Sequence, residues 1–124
     1  MARILIIDDD NAVRRMLVRA CSVQGHRVLD APSWAGDIEL LRKETLDLVI
    51  TNIRMPHLDG IEIIKLLRDT GATAKVLAIS PGGWTRPGED VLLDARLLGA
   101  DRVLQKPFTL QELNTTIEEM LSHT

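Results

Sequence analysis

The sequence predicts a three-layer α/β domain, a doubly wound five-stranded parallel sheet flanked by five helices. Three observations carry the prediction. Short aliphatic runs alternate with helical stretches five times along 124 residues, and strict alternation of this kind gives parallel strands with helices on both faces. Hydrophobic residues make up 45% of the chain and aromatics only 2%, so the core is extensive and aliphatic. The length is that of one ordinary domain, and no Pro/Gly/Ser linker, internal repeat or low-complexity segment divides it.

Each element has its own reason. Residues 3–7 are one cation followed by four aliphatics, too short for a helix and rich in Ile, which reads as a strand buried on both faces. Residues 11–23 follow with Val13, Leu17, Ala20 and Cys21 near helical spacing, and Gly25 supplies the stop. Residues 26–30 are a weaker strand. Ser33 is the N-cap of a helix running to about residue 43, with Ile38, Leu40 and Leu41 turned inward and Trp34 packing at its start. Residues 47–51 form a third strand, and 52–58 a loop containing Pro56. A helix begins at Asp59, carries Ile61, Ile64, Leu67 and Arg68, and closes at Gly71. Residues 75–79 are the fourth strand, 80–88 a loop with three glycines and two prolines, and 89–98 the fourth helix, ended by Gly99. A short fifth strand spans 102–105. Thr109 caps the last helix, with Glu112 three residues on completing a capping box.

Composition excludes several classes of function. A net charge of −3 argues against a nucleic-acid surface, which shows as a basic excess. The single cysteine, Cys21, excludes an internal disulfide and reads as a small buried apolar side chain rather than a redox centre. The apolar run at residues 4–7 is followed at once by three aspartates, whereas a membrane span needs about 20 apolar residues. A cytoplasmic protein without a membrane partner is expected.

Ligands of open parallel sheets bind beyond the carboxyl ends of the strands, where the strand order reverses. The residues falling there are Asp8, Asp9 and Asp10, then Asn52, then Ser80, then Lys106. Three adjacent carboxylates repel, and each raises its neighbours' pKa when uncompensated. Asp10 or Asn11 is explained as the cap of the next helix. For Asp8 and Asp9 a hard divalent cation with oxygen ligands relieves the repulsion, and Mg²⁺, held by few carboxylates and several waters, is the natural one. Lys106 offers a point charge for an anion or for the aspartates. Pro107 behind it is a position where a cis bond sets a fixed turn. Ser80 before Pro81 reads alone as turn chemistry.

Together these residues carry a resemblance. The stretches Ile4-Leu5-Ile6-Ile7-Asp8-Asp9, Met55-Pro56-His57-Leu58-Asp59-Gly60, Ala78-Ile79-Ser80 and Lys106-Pro107-Phe108 resemble the response-regulator receiver family of two-component signalling, and the likeness runs the full length of the chain. It implies a flavodoxin-like sheet of order 2-1-3-4-5. It further implies that Asp8 and Asp9 hold Mg²⁺ with the backbone carbonyl of Arg54, that Ser80 contacts and follows the phosphoryl group, and that Lys106 pairs with a phosphoryl oxygen. The family's aspartyl nucleophile falls at Asn52, which also takes that residue's place among the metal ligands. The implied partners are a histidine kinase or phosphotransfer protein and a downstream target, met on the face of the fourth helix, fifth strand and fifth helix. No output domain is expected after the last helix.

Three departures from the family stand out. Asn52 lacks the carboxylate that attacks phosphorus, and an amide is a poor nucleophile. Its neutral oxygen can still touch a metal, but one negative charge is gone, so Mg²⁺ is expected to bind more weakly. Either an engineered block on phosphorylation or a natural receiver that signals by binding alone accounts for it. Val103 stands where the family commonly has an aromatic switch residue, and reads as a plain buried strand valine. The loop 81–88 is longer than the family's usual connection, and its Trp84 is either a partner anchor or a side chain folded back onto the helix. Two other classes compete with a receiver. Asp8 and Asp10 after a buried strand resemble the start of haloacid-dehalogenase-type phosphatases, although Ala12 stands where that family wants a hydroxyl or branched residue. An interaction domain indifferent to metal is the other.

Overall fold

The structure is a computed structural model, and it describes residues 1–32, 45–52, 68, 73–80 and 99–122, Ser80 by its backbone alone. Five strands, β1 (Arg3–Ile7), β2 (Arg27–Ala31), β3 (Leu48–Asn52), β4 (Lys75–Ser80) and β5 (Arg102–Gln105), form one sheet in the order β2-β1-β3-β4-β5. Every pairing is parallel. Two helices are described, α1 (Asn11–Val23) and α2 (Leu110–Ser122). The helices expected over 33–43, 59–71 and 89–98 lie outside the described residues, except that Arg68 is helical.

The central strands are aliphatic because both of their faces are buried. Ile4, Ile6, Leu48, Ile50, Leu77 and Ile79 point to one side and meet Leu17, Ala20 and Cys21 of α1 and Leu113, Ile117 and Met120 of α2. The alternate residues Leu5, Ile7, Val49, Val76 and Ala78 are equally buried, as the period-two alternation of a strand requires. Met, Leu and Ile stand where bulkier aromatics would otherwise fill the space between sheet and helices.

The ends of the helices follow from local chemistry. Asp10 caps α1, its Oδ1 accepting from the N–H of Ala12 at 2.9 Å and of Val13 at 3.2 Å. At the other end the N–H of Gly25 reaches Ser22 O and that of His26 reaches Cys21 O, the paired bonds of a Schellman ending. Gly25 has φ +88° and open space around its missing side chain, so backbone conformation and not crowding demands glycine there. Thr109 Oγ1 accepts from the Glu112 N–H at 3.0 Å and donates to the Glu112 carboxylate at 3.2 Å. The capping box is thus closed through the threonine hydroxyl rather than through its backbone N–H.

The structure corrects some boundaries. β2 and β3 each lie one residue later than expected, and β4 runs one residue further, through Ser80. Asn52 is therefore the last residue of a central strand, paired in register with Ile79, and not the first of a loop. Its neighbour β4 extends the ladder far enough to hold it, whereas the pairing with β1 ends one residue earlier, at Thr51. Val103 is half-buried rather than buried, because β5 is the sheet's edge. Arg68, carried by the helix expected from Asp59, uses its guanidinium to tie Ala74 O, Gly99 O and the Asp101 carboxylate together, and Asp101 in turn accepts from the Val76 N–H.

Cys21 is 1% exposed, and burial pushes its thiol up to about 11 from 9.0. A thiol whose folded pKa is raised stays neutral where the unfolded chain ionises. Stability is then lost as pH rises above the unfolded value of 9.0, by about 2 kcal/mol at pH 11. Chemical denaturation from pH 8 to 11 should show this downturn in the protein and a shallower one in Cys21→Ala; parallel curves would contradict it.

Candidate functional site

Asp8 follows β1 directly and has no exposed surface. Its backbone is fixed on both sides: its N–H donates to Ala31 O at 3.3 Å, and its carbonyl accepts from Arg14 Nη1 at 2.8 Å. One carboxylate oxygen, Oδ1, accepts from the Asp10 N–H at 2.9 Å. The other, Oδ2, is buried without a hydrogen bond and faces Lys106 Nζ at 4.0 Å. Burial raises the Asp8 pKa, and neighbouring Asp9 adds to the rise. The Asp10 N–H opposes it most, then the Lys106 charge, then a side-chain hydrogen bond with Asn52, and the net direction is upward. The ionised carboxylate is thus only partly compensated by its surroundings.

Asn52 closes β3 with 7% of its surface exposed, on the strand adjacent to β1. Lys106 follows β5 and is followed by a cis bond to Pro107. Asp9 is exposed in the turn beside Asp8. The structure therefore brings Asp8, Asn52 and Lys106 to one edge of the sheet, as the sequence suggested, with Asp9 at its rim. Ser80 ends β4 in register with Gln105 at that edge. Its side chain, the Arg54 carbonyl and Trp84 lie outside the described residues. Among the described residues no three His, Cys, Asp or Glu side chains gather to hold a metal.

Sequence reasoning missed Arg14. Its Nε pairs with Asp30 Oδ2 at 3.0 Å and its Nη2 donates to Asn11 Oδ1 at 2.6 Å, while Nη1 holds the Asp8 carbonyl. One guanidinium thus joins the ends of β1 and β2 to the first turn of α1. The available signal was a cation one helical turn past an acidic run, but nothing in the spacing said that it would reach backwards.

The Asp8–Lys106 contact has a measurable consequence. Breaking a buried pair leaves a stranded charge, which is more damaging than losing both partners. Without divalent cations, Lys106→Met should cost about 1 kcal/mol at neutral pH, discounted for the partial exposure of the lysine. Asp8→Asn should be neutral or stabilising by about 1 kcal/mol, and the double variant should recover most of the lysine's loss. Urea denaturation of the four proteins checks this, and strict additivity would show that the two groups do not interact.

A parallel sheet of order β2-β1-β3-β4-β5, with a buried carboxylate and a lysine at its carboxyl edge, defines a signal-receiver class of protein. Residues 4–118 match the family described as Response regulator receiver domain. The chain belongs to that family, the receiver domains of two-component response regulators. It is 37% identical over 123 residues to response regulator MprA of Mycolicibacterium vanbaalenii, covering 98% of this chain and 51% of that protein. It is 36% identical to the response regulator receiver protein CpdR of Brucella abortus, covering 98% of each. The chain thus spans about half the length of the MprA relatives it matches and nearly all of CpdR. Among solved structures, a response regulator receiver domain protein from Clostridium thermocellum superposes with a TM-score of 0.85 at 27% identity, covering 98% of this chain and 95% of that one. The FixJ-N structure, at a TM-score of 0.86 and 24% identity over all of this chain and 96% of that one, shares the fold. A receiver identity displaces the haloacid-dehalogenase reading. No helix of the described residues is long and apolar enough to cross a membrane.

Proposed function

We propose that this chain is a phosphorelay receiver whose phosphoacceptor position is Asn52, so that it takes no phosphoryl group and acts through protein contacts. The observation that carries the reading is the position of Asn52 at the end of a central strand, beside a buried Asp8 that faces Lys106. Asp8 and Asp9 would hold Mg²⁺, with the Asn52 side-chain oxygen and the Arg54 carbonyl. The buried Asp8 Oδ2 without a hydrogen bond fits such a ligand, which would supply positive charge to an incoming phosphoryl oxygen. Lys106 and the Ser80 hydroxyl would contact that oxygen. The missing group is the nucleophile alone. The amide nitrogen of Asn52 has its lone pair delocalised, and its oxygen lacks the charge to displace a leaving group.

The chain's partners on this reading are a histidine kinase or phosphotransfer protein and a downstream target protein in the cytoplasm. It is a signalling module and not a turnover enzyme. The alternative of a metal-indifferent interaction domain is separated by titrating Mg²⁺ against tryptophan emission and amide shifts near Asp9, where the receiver reading expects a response at millimolar metal.

The decisive comparison is with Asn52→Asp. After incubation with Mg²⁺ and a small phosphodonor, intact mass should show a phosphoryl adduct on the Asp form and none on this chain. Equal adducts on both would remove Asn52 from its assigned role. Without metal the Asp form should melt lower, because a third carboxylate joins an undercompensated pair, and its Mg²⁺ affinity should be higher by about tenfold or more. An equal or higher melting temperature for the metal-free Asp form would contradict the electrostatic account.

A further inference from the structure

Each nitrogen of the Arg14 side chain has its own acceptor. Nη1 donates to Asp8 O at 2.8 Å, Nη2 to Asn11 Oδ1 at 2.6 Å and Nε to Asp30 Oδ2 at 3.0 Å. The backbone N–H of the same residue donates to Asp10 O at 2.9 Å. One residue therefore grips the turn 8–11 at Asp8, Asp10 and Asn11 and anchors it to β2 through Asp30. The turn needs such a grip, because it carries three adjacent carboxylates that repel one another. The grip is also selective. A guanidinium pairs most strongly with a carboxylate, yet this one takes the Asp8 carbonyl and leaves the Asp8 carboxylate alone. Oδ1 of that carboxylate is occupied by the Asp10 N–H, while Oδ2 stays buried without a hydrogen bond. The Arg14 side chain is only 15% exposed, so water competes little for its bonds.

We propose that Arg14 is a positioning residue for the cation site: it fixes the Asp8 backbone so that Oδ2 is held open for a divalent cation. The inference rests on the receiver reading of Asp8 and Asp9 as cation ligands. A ligand carboxylate binds metal well when its own supports hold it in place beforehand, and loss of such a support costs about 10–100-fold in affinity. Arg14 gives that support through a rigid fork, which a lysine does not reproduce. Charge alone predicts the reverse. A guanidinium beside the acid edge repels an arriving cation, so its removal would tighten binding by Coulomb's law. The sign of the effect therefore separates positioning from plain electrostatics.

Mg²⁺ titrations followed by amide shifts test the proposal on the full chain, at a temperature where circular dichroism shows every variant folded. Arg14→Met should weaken Mg²⁺ binding about tenfold, and Arg14→Lys, which keeps the charge without the fork, should weaken it too. Arg15→Met removes an exposed charge one residue on, outside the clamp, and should bind as this chain does or slightly tighter. Asn11→Ala, exposed and neutral, should weaken binding by a smaller factor and carries the test if Arg14→Met does not fold. Without metal, the Asp10 amide proton should exchange faster in Arg14→Met, because the turn presenting it to Asp8 Oδ1 is loosened. Equal or tighter binding by Arg14→Met overturns the proposal, as does wild-type affinity in Arg14→Lys or an equal loss in Arg15→Met. Absence of any response in this chain at millimolar Mg²⁺ overturns the cation site and the proposal with it. A response here that persists undiminished in Arg14→Met overturns the proposal alone.

Discussion

The Asp8 carboxylate lies at the end of β1 with no exposed surface, and the free energy of keeping a charge there shapes everything around it. A buried carboxylate needs compensation in place of water. Here it comes from three directions: a backbone N–H from Asp10 on one oxygen, the Lys106 ammonium across from the other, and the Asn52 side chain from the next strand. Each of these groups is delivered by a different element of the fold. β1 carries the acid, α1 begins at the residue that donates to it, β3 ends at Asn52, and the turn after β5 brings the lysine. Removing any one element leaves the carboxylate stranded, so the edge chemistry and the doubly wound sheet depend on one another.

Compensation at this edge is incomplete. Oδ2 of Asp8 accepts no hydrogen bond, and the net effect of burial still favours the protonated acid. A fold retains such a group where something other than stability selects it. With an aspartate at position 52 three carboxylates would share the edge, and the repulsion would demand a cation. With Asn52 the demand is smaller, because Lys106 meets one buried charge and not two. On the proposed reading Asn52 therefore changes more than a nucleophile. It shifts the electrostatic balance of the edge toward a state that stands without added charge, whether from metal or from phosphoryl.

Arg14 extends the same logic outward. By holding the Asp8 carbonyl, Asn11 and Asp30 together, it fixes the first turn of α1 relative to the sheet. Arg15 and Arg19 point instead toward solvent on the groove beside α2. One short helix thus serves the acid edge with one side and borders the groove beside α2 with another. Helical periodicity makes this division possible, since residues one apart project about 100° from each other.

The sequence by itself determined much of this protein. Residues 3–7 had to be a buried strand because four consecutive aliphatics are too many for a half-exposed one and too few for a helix. Asp10 and Thr109 announced helix starts, and Gly25 a helix end, because capping is local chemistry. The acid pair, Asn52 and Lys106 were legible as one site because each follows a strand, and parallel topology sends all such positions to one edge. What the tertiary structure decided is what depends on pairing between distant segments. β4 draws Asn52 into the ladder, where local propensity had placed it in a loop. Edge position leaves Val103 half-covered, although its own run reads as core. Arg14 reaches back to a carbonyl six residues earlier and across to β2, contacts that no spacing encodes. The burial of Asp8, and with it the unpartnered oxygen that gives the edge its chemistry, exists only once five strands have closed around it.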